Sequence, residues 1–204
     1  MPVIVVANPK GGVGKSTLAT QIAGYLASHG HAVMLGDVDR QQSAQAWLAL
    51  RPAGLPQIRH WAVTPEGGVK PPKGTTHAVL DTPAGLHGKR LDEVVKLADK
   101  LLVPLQPSPF DIYATRDFVQ DLMQRRHSDR VSVALVGMRV RENALSADHL
   151  REFLDTLDLP VLAFLRDTQN YLHLAARGLT LWDVAPGRVE KDLAQWEPLT
   201  RWLD

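Results

Sequence analysis

Short apolar runs alternate along this chain with stretches in which apolar residues return every three or four positions. The runs Val3-Ile4-Val5-Val6-Ala7, His31-Ala32-Val33-Met34-Leu35-Gly36, His77-Ala78-Val79-Leu80 and Leu101-Leu102-Val103-Pro104-Leu105 have strand length. So do residues 131–137 and 161–165, and Ile58-Arg59-His60-Trp61-Ala62-Val63 reads as a further strand. Most are apolar throughout rather than alternating, as strands covered on both faces must be. Between them, residues 18–26, 43–50, 91–98, 112–126, 146–157 and 171–177 read as helices. Strand and helix in alternation predict an α/β fold: one mostly parallel, twisted sheet flanked by helices on both faces. Residues 65–74, with Gly67-Gly68 and Pro71-Pro72, read as loop. A last amphipathic stretch places Val189, Leu193, Trp196, Leu199 and Trp202 along one helix face.

Composition sharpens this picture at few points. A length of 204 residues, 45% of them hydrophobic, predicts a single domain over 1–204 with a sizeable core. No apolar run reaches the length of a membrane span, and no secretory leader precedes the first strand, so a cytoplasmic protein is expected. The count of cysteines is zero, which excludes disulfides and cysteine-ligated clusters. The formal net charge of +1 argues neither for nor against a nucleic-acid partner.

The candidate chemistry gathers at Asn8-Pro9-Lys10-Gly11-Gly12-Val13-Gly14-Lys15-Ser16-Thr17, between the first strand and the first helix. Strand, glycine loop and helix are the context that a phosphate-binding loop needs. Glycines bring backbone N–H groups close to phosphate oxygens, and the helix N-terminus adds partial positive charge. Lys15 supplies a full charge for the β- and γ-phosphates, and Ser16 a hydroxyl suited to Mg2+. The usual first glycine of this motif is replaced by Pro9, and a second lysine, Lys10, stands inside the loop. A turn that only joined strand to helix would need neither lysine at these offsets.

The loop K-G-G-V-G-K-S resembles the deviant phosphate loop of the ParA/MinD family of ATPases. The resemblance implies an ATP site formed by Lys10, Gly11, Gly12, Val13, Gly14, Lys15, Ser16 and Thr17, a P-loop NTPase fold and Mg2+ dependence. It also implies that Lys10 reaches the nucleotide of a second copy across a homodimer. Asp37-Val38-Asp39-Arg40-Gln41 looks like the family's D-x-D-P-Q segment, with Arg40 in place of proline. On that resemblance Asp37 supports the metal shell and Asp39 orders the attacking water; Asp39 as a plain cap of helix 43–50 is the alternative. Val79-Leu80-Asp81 resembles a Walker B strand end, with Asp81 the third residue of the metal set beside Ser16 and Asp37. Thr82-Pro83-Ala84-Gly85 resembles the second switch. Pro107 and Pro109 in Gln106-Pro107-Ser108-Pro109-Phe110-Asp111 resemble the loop that flanks the nucleotide, with Asp111 an alternative helix cap. Met138 and Arg139 fall where the superfamily places its adenine pocket.

The likeness is to short single-domain ParA proteins without a DNA-reading extension. It implies partition or intracellular positioning of a plasmid or other large cargo. The ATP-bound dimer would hold non-specifically to nucleoid DNA, and a ParB-like or cargo-adaptor protein would stimulate hydrolysis. Arg125, Arg126, Arg166 and Arg177 are the DNA-binding candidates, against the alternative of an ordinary solvated surface. Two other classes share the fold. A MinD-like membrane-cycling regulator would use a basic terminal helix, whereas residues 188–204 mix both signs and favour docking onto the domain, so no stable membrane association is expected. A metabolic ligase of the dethiobiotin synthetase type would need a charged substrate pocket, and no such constellation stands out.

Overall fold

The computed structural model describes residues 1–63, 73–125, 128–141 and 144–204. Seven strands form one sheet: β1 (Val3–Val6), β2 (Val33–Asp37), β3 (Ile58–Trp61), β4 (His77–Asp81), β5 (Lys100–Leu105), β6 (Ser132–Val140) and β7 (Val161–Arg166). Their order is β3-β2-β4-β1-β5-β6-β7, and every pairing is parallel. The helices are α1 (Lys15–Ser28), α2 (Ser43–Leu50), α3 (Gly88–Leu97), α4 (Pro109–Met123), α5 (Leu145–Leu154), α6 (Asn170–Ala175) and α7 (Glu190–Leu203).

The all-apolar strands are buried on both faces, and period-two alternation sorts their side chains into two cores. Ile4 and Val6 of β1 join α1, α2, α6 and α7 on one face, while Val3 and Val5 join α3, α4 and α5 on the other. The apolar face predicted for the last helix is docked as expected: Trp196, Leu199 and Leu203 are buried in the first of these cores. Among the described residues no helix is long and apolar enough to cross a membrane.

β1 lies at the switch point of the sheet, between β4 and β5. In open parallel sheets ligands gather at the carboxyl ends of the strands around such a point. The register aligns those ends: Val6 pairs with Asp81, and Asp37 pairs with Asp81 on the other side. Three sequence segments far apart in the chain thus end beside one another.

Several boundaries differ from the periodicity. α4 starts at Pro109, because proline is well suited to a first helical position, so Asp111 lies in the first turn and is not the cap. β6 runs on through Met138 and Arg139 with register shifts against β7, and Arg139 adopts φ +51° there. α5 begins at Leu145, one residue before the expected cap Ser146. Residues 65–72 of the expected loop lie outside the described residues.

The reverse turn after α6 is fixed by Gly178, at φ +66°. A Cβ there would come within 2.5 Å of backbone atoms of Leu50 and Arg51. The Arg51 guanidinium donates to the Gly178 carbonyl at 3.2 Å and pairs with the buried Asp183 carboxylate at 2.8 and 3.0 Å. Neither backbone can yield without loosening that pair. Gly178→Ala is therefore expected to lower unfolding free energy by roughly 2–4 kcal/mol, from left-handed strain plus a backbone clash. Urea denaturation checks this; a loss below about 0.5 kcal/mol, the level of a neutral surface change, would contradict it.

Candidate nucleotide-binding site

The loop after β1 is held from three sides. Asn8 is fully buried; its amide donates to the Pro104 carbonyl and the Thr115 hydroxyl, both at 2.9 Å. Its side-chain oxygen accepts the Lys10 N–H at 2.9 Å. Gln106, at the end of β5, donates to the Gly12 carbonyl at 2.7 Å, and the Gly85 N–H donates to the Pro9 carbonyl at 2.7 Å. Gly14 closes the loop at φ +99°, where a Cβ would meet Met138 Cε at 2.8 Å. The glycine is required for the turn, whereas the Met138 side chain could shift to admit a Cβ.

α1 then begins with no side-chain cap and no acidic residue in its first turn. Its first N–H groups and partial positive charge are left for an anion. Lys15 is 7% exposed, and its ammonium donates to the Lys10 carbonyl at 2.6 Å across the loop. Burial lowers its pKa, opposed by the charges of Asp81 and Asp39. A cation held this way is preorganised for phosphate oxygens. Lys10, Ser16 and Thr17 are half-buried around the same cradle, Val13 is buried beneath it, and Gly11 and Gly12 are exposed at its rim.

Asp81 is 1% exposed, and neither of its carboxylate oxygens has a hydrogen-bond partner in the described protein. Burial pushes its carboxyl up to about 7, against the favourable influence of the Ser16 hydroxyl; Asp37 raises it further, and Lys15 lowers it. A buried, unsatisfied carboxylate beside a hydroxyl is what a hard, hydrated divalent cation would satisfy, so the residues fit Mg2+. In the free chain it is costly. A carboxyl whose folded pKa exceeds its unfolded one takes up a proton on folding, so stability falls as pH rises between the two values. Asp81→Asn is expected to raise the stability of the nucleotide-free chain by about 1–3 kcal/mol at pH 8, a gain that vanishes near pH 4. Thermal denaturation across that range checks it; an unstabilised variant at pH 8 would mean that Asp81 is satisfied in the free protein.

The two aspartates at and just beyond the end of β2 do different work. Asp37 accepts the Asp39 N–H at 3.0 Å with one oxygen. Its other oxygen accepts from Ala44 at 2.8 Å and Gln45 at 3.3 Å, so Asp37 caps α2. The half-buried Asp39 carboxylate accepts the Gln41 N–H at 2.9 Å, and the Asp39 backbone carbonyl accepts the Gln42 N–H at 3.1 Å. The alternative in which Asp39 caps that helix is not what the structure shows. Its segment borders a cavity of about 640 Å³ that also reaches Pro83, Ala84 and Arg90.

A second cavity, of about 280 Å³, opens beside Val13 and Thr17 and is walled by Met138, Arg139, Arg166 and Tyr171. The Arg139 strain lies here, at the edge of the site. Pro107 is half-buried in the loop carrying Gln106, and Pro109 is exposed at the start of α4. Burial raises the Asp111 carboxyl, and the Lys10 charge lowers it, so that these two groups sense each other.

The three DNA-binding candidates among the described residues, Arg125, Arg166 and Arg177, do not come together. Arg125 is engaged by Asp121 and Asp92 at 2.6 and 2.9 Å, on the α3–α4 face. Arg166 is paired with Asp192, and Arg177 is exposed after α6 on the opposite face. Arg126 lies outside the described residues. Sequence reasoning does not single out Asn8, Gln106 or the Arg166 pairing. The polar Asn8 straight after five apolar residues is the one readable signal.

The family model for the CobQ/CobB/MinD/ParA nucleotide binding domain matches residues 4–181. Maintenance of carboxysome distribution protein A from Gloeobacter kilaueensis is 32% identical over 88% of this chain and 83% of its own. The fold is shared with a variant of Cyanothece McdA solved as its ATP complex, at TM-score 0.77, 16% identity and coverage of 98% and 96%. It is likewise shared with the septum site-determining protein MinD from Pyrococcus horikoshii, solved with Mg-ADP, at TM-score 0.69, 15% identity and coverage of 87% and 86%. With its phosphate loop, its aligned strand-end carboxylates and its seven-stranded parallel sheet, the chain belongs to the CobQ/CobB/MinD/ParA nucleotide-binding family.

Proposed function

We propose that this ATPase positions or partitions a large intracellular cargo, pairing with a second copy around ATP and separating after hydrolysis. The observation that carries the reading is the division of labour between two lysines. Lys15 is buried and already serves the chain's own phosphate cradle, while Lys10 stands half-buried at the rim with its backbone pinned by Asn8. A second cation at that rim is positioned to complete a triphosphate site presented by another copy. The relative named for carboxysome distribution supports a cargo-positioning role over a biosynthetic one.

In this reading Lys15 and the N–H groups of the loop bind the β- and γ-phosphates of ATP. Ser16 and Asp81 hold Mg2+, with Asp37 behind them, and the ion when bound supplies neutralisation of the developing phosphate charge. Asp39 has one oxygen beyond its Gln41 bond with which to orient the attacking water. Lys10 of each copy stabilises the charge on the other's transferring phosphoryl group. Gly85, bonded to the Pro9 carbonyl in the free chain, is the contact that a γ-phosphate would rearrange. The nucleotide-bound dimer is cytoplasmic and holds nucleoid DNA by phosphate contacts, and a ParB-like or cargo-adaptor partner triggers hydrolysis.

Co-sedimentation tests the cycle. The chain with ATP is expected to pellet with non-specific DNA and to be released with ADP or at raised salt, without pelleting with anionic liposomes. Pelleting with liposomes alone would replace this reading with a membrane-cycling one. Pelleting with neither, in either nucleotide, would remove the DNA-bound state.

A further inference from the structure

The C-terminal helix reaches the nucleotide site through one buried carboxylate. Asp192 of α7 is fully buried, yet it lies in no part of the phosphate or metal cluster. One of its oxygens accepts from Arg166 Nε at 2.5 Å. The other accepts from Arg166 Nη2 at 3.2 Å and from the Asn170 amide at 2.6 Å. The next turn of α7 adds Gln195, whose side-chain oxygen accepts the Arg166 backbone N–H at 2.9 Å. Trp196 then donates to the Tyr171 hydroxyl at 2.9 Å.

Every group held in this way belongs to, or adjoins, the wall of the 280 Å³ cavity beside Val13 and Thr17. Arg166 and Tyr171 line it, and Asn170 starts the helix that carries Tyr171. The cavity is the open space next to the phosphate cradle on the β6–β7 side, so it is where the rest of a nucleotide extends. A guanidinium plane, a buried tyrosine ring and Met138 together suit a flat, polarisable heterocycle. A guanidinium on an unpinned side chain would lose that stacking geometry to rotamer freedom; a bidentate carboxylate removes that freedom.

We propose that Asp192 is a positioning residue of the nucleotide site: through Arg166 and Asn170 it fixes the wall on which the purine base packs. The C-terminal helix thereby sets how much the base, as distinct from the triphosphate, contributes to binding. This rests on the ATP reading above.

Equilibrium binding of Mg-ATP and of Mg-tripolyphosphate to the full chain separates the two contributions, because tripolyphosphate has no base. Asp192→Asn keeps the shape and removes the charge that orients Arg166. It is expected to weaken ATP about tenfold while changing tripolyphosphate less than about twofold, a change typical of losing one charge-assisted bond. Arg166→Gln is expected to reproduce the same altered ratio, and it decides the matter if the Asp192 variant does not fold. Loss of both ligands in proportion, or an unchanged ratio in either folded variant, would overturn the proposal and leave Asp192 a structural pair. If the unaltered chain binds tripolyphosphate but not ATP, the ATP reading itself fails, and this proposal with it.

Discussion

Lys15→Ala is expected to remove ATP binding, with affinity falling on the order of 100- to 1000-fold, as for loss of a preorganised charge-assisted contact in a partly desolvated site. Lys15 is 7% exposed, and its ammonium is already tethered to the Lys10 carbonyl at 2.6 Å, so little ordering remains to be done when phosphate arrives. Burial disfavours its charge in the free protein, so truncation should leave the nucleotide-free chain as stable as before. That sign separates loss of function from loss of fold. The unaltered chain should gain about 2.7 kcal/mol of stability at ATP concentrations 100 times its dissociation constant, and the variant at most about 0.4 kcal/mol. Thermal denaturation with and without Mg-ATP reads both quantities at once. A variant that is stabilised by ATP beyond that would show that the loop and helix N-terminus alone hold the triphosphate.

Lys10→Ala is expected to do the opposite in part: bind ATP within about threefold of the unaltered chain, yet lose turnover by roughly 100-fold or more, as removal of a transition-state cation does. Its side chain is not the one that serves its own cradle, and its backbone N–H, the group that Asn8 holds at 2.9 Å, survives the substitution. Sedimentation velocity with ATP should show a monomer where the unaltered chain shows a dimer. Asp111, whose carboxyl senses the Lys10 charge, should then sit in a less favourable environment, so the free variant gains nothing in stability. Undiminished hydrolysis and dimerisation would dismiss any role for Lys10 across two copies.

Much of this is readable from the chain itself. The β4 run His77 to Asp81 and the α2 stretch Ser43 to Leu50 are found where the pattern puts them, because each is bounded by unambiguous turn chemistry. Lys15, Ser16 and Asp81 fall at one site because a parallel sheet delivers every strand's carboxyl end to the same edge. The start of α4 escapes the pattern because Pro109 reads as a loop residue, although its missing N–H costs nothing at a first helical position. The capping role of Asp37 is not legible in the sequence, since it depends on how the chain bends between β2 and α2. Charge counting also fails to foresee that Arg125 and Arg166 are neutralised by Asp121, Asp92 and Asp192. Asp92 and Asp192 lie on elements other than those carrying the arginines, and linear order says nothing about which elements meet.

The central place of β1 has a consequence for the order in which this protein can be made. Its two edges pair with Ala78 to Asp81 on one side and with Lys100 to Leu102 on the other. β1 is therefore synthesised before either of its partners, and it waits, apolar and unpaired, for the about 70 residues that separate it from β4. Long-range parallel pairing is slow to nucleate, and exposed strands invite misassociation in the interval. The nascent chain thus carries its phosphate loop for many residues before that loop has walls, and a message cut short before Leu105 lacks Gln106 and Thr115, two of the groups that hold it.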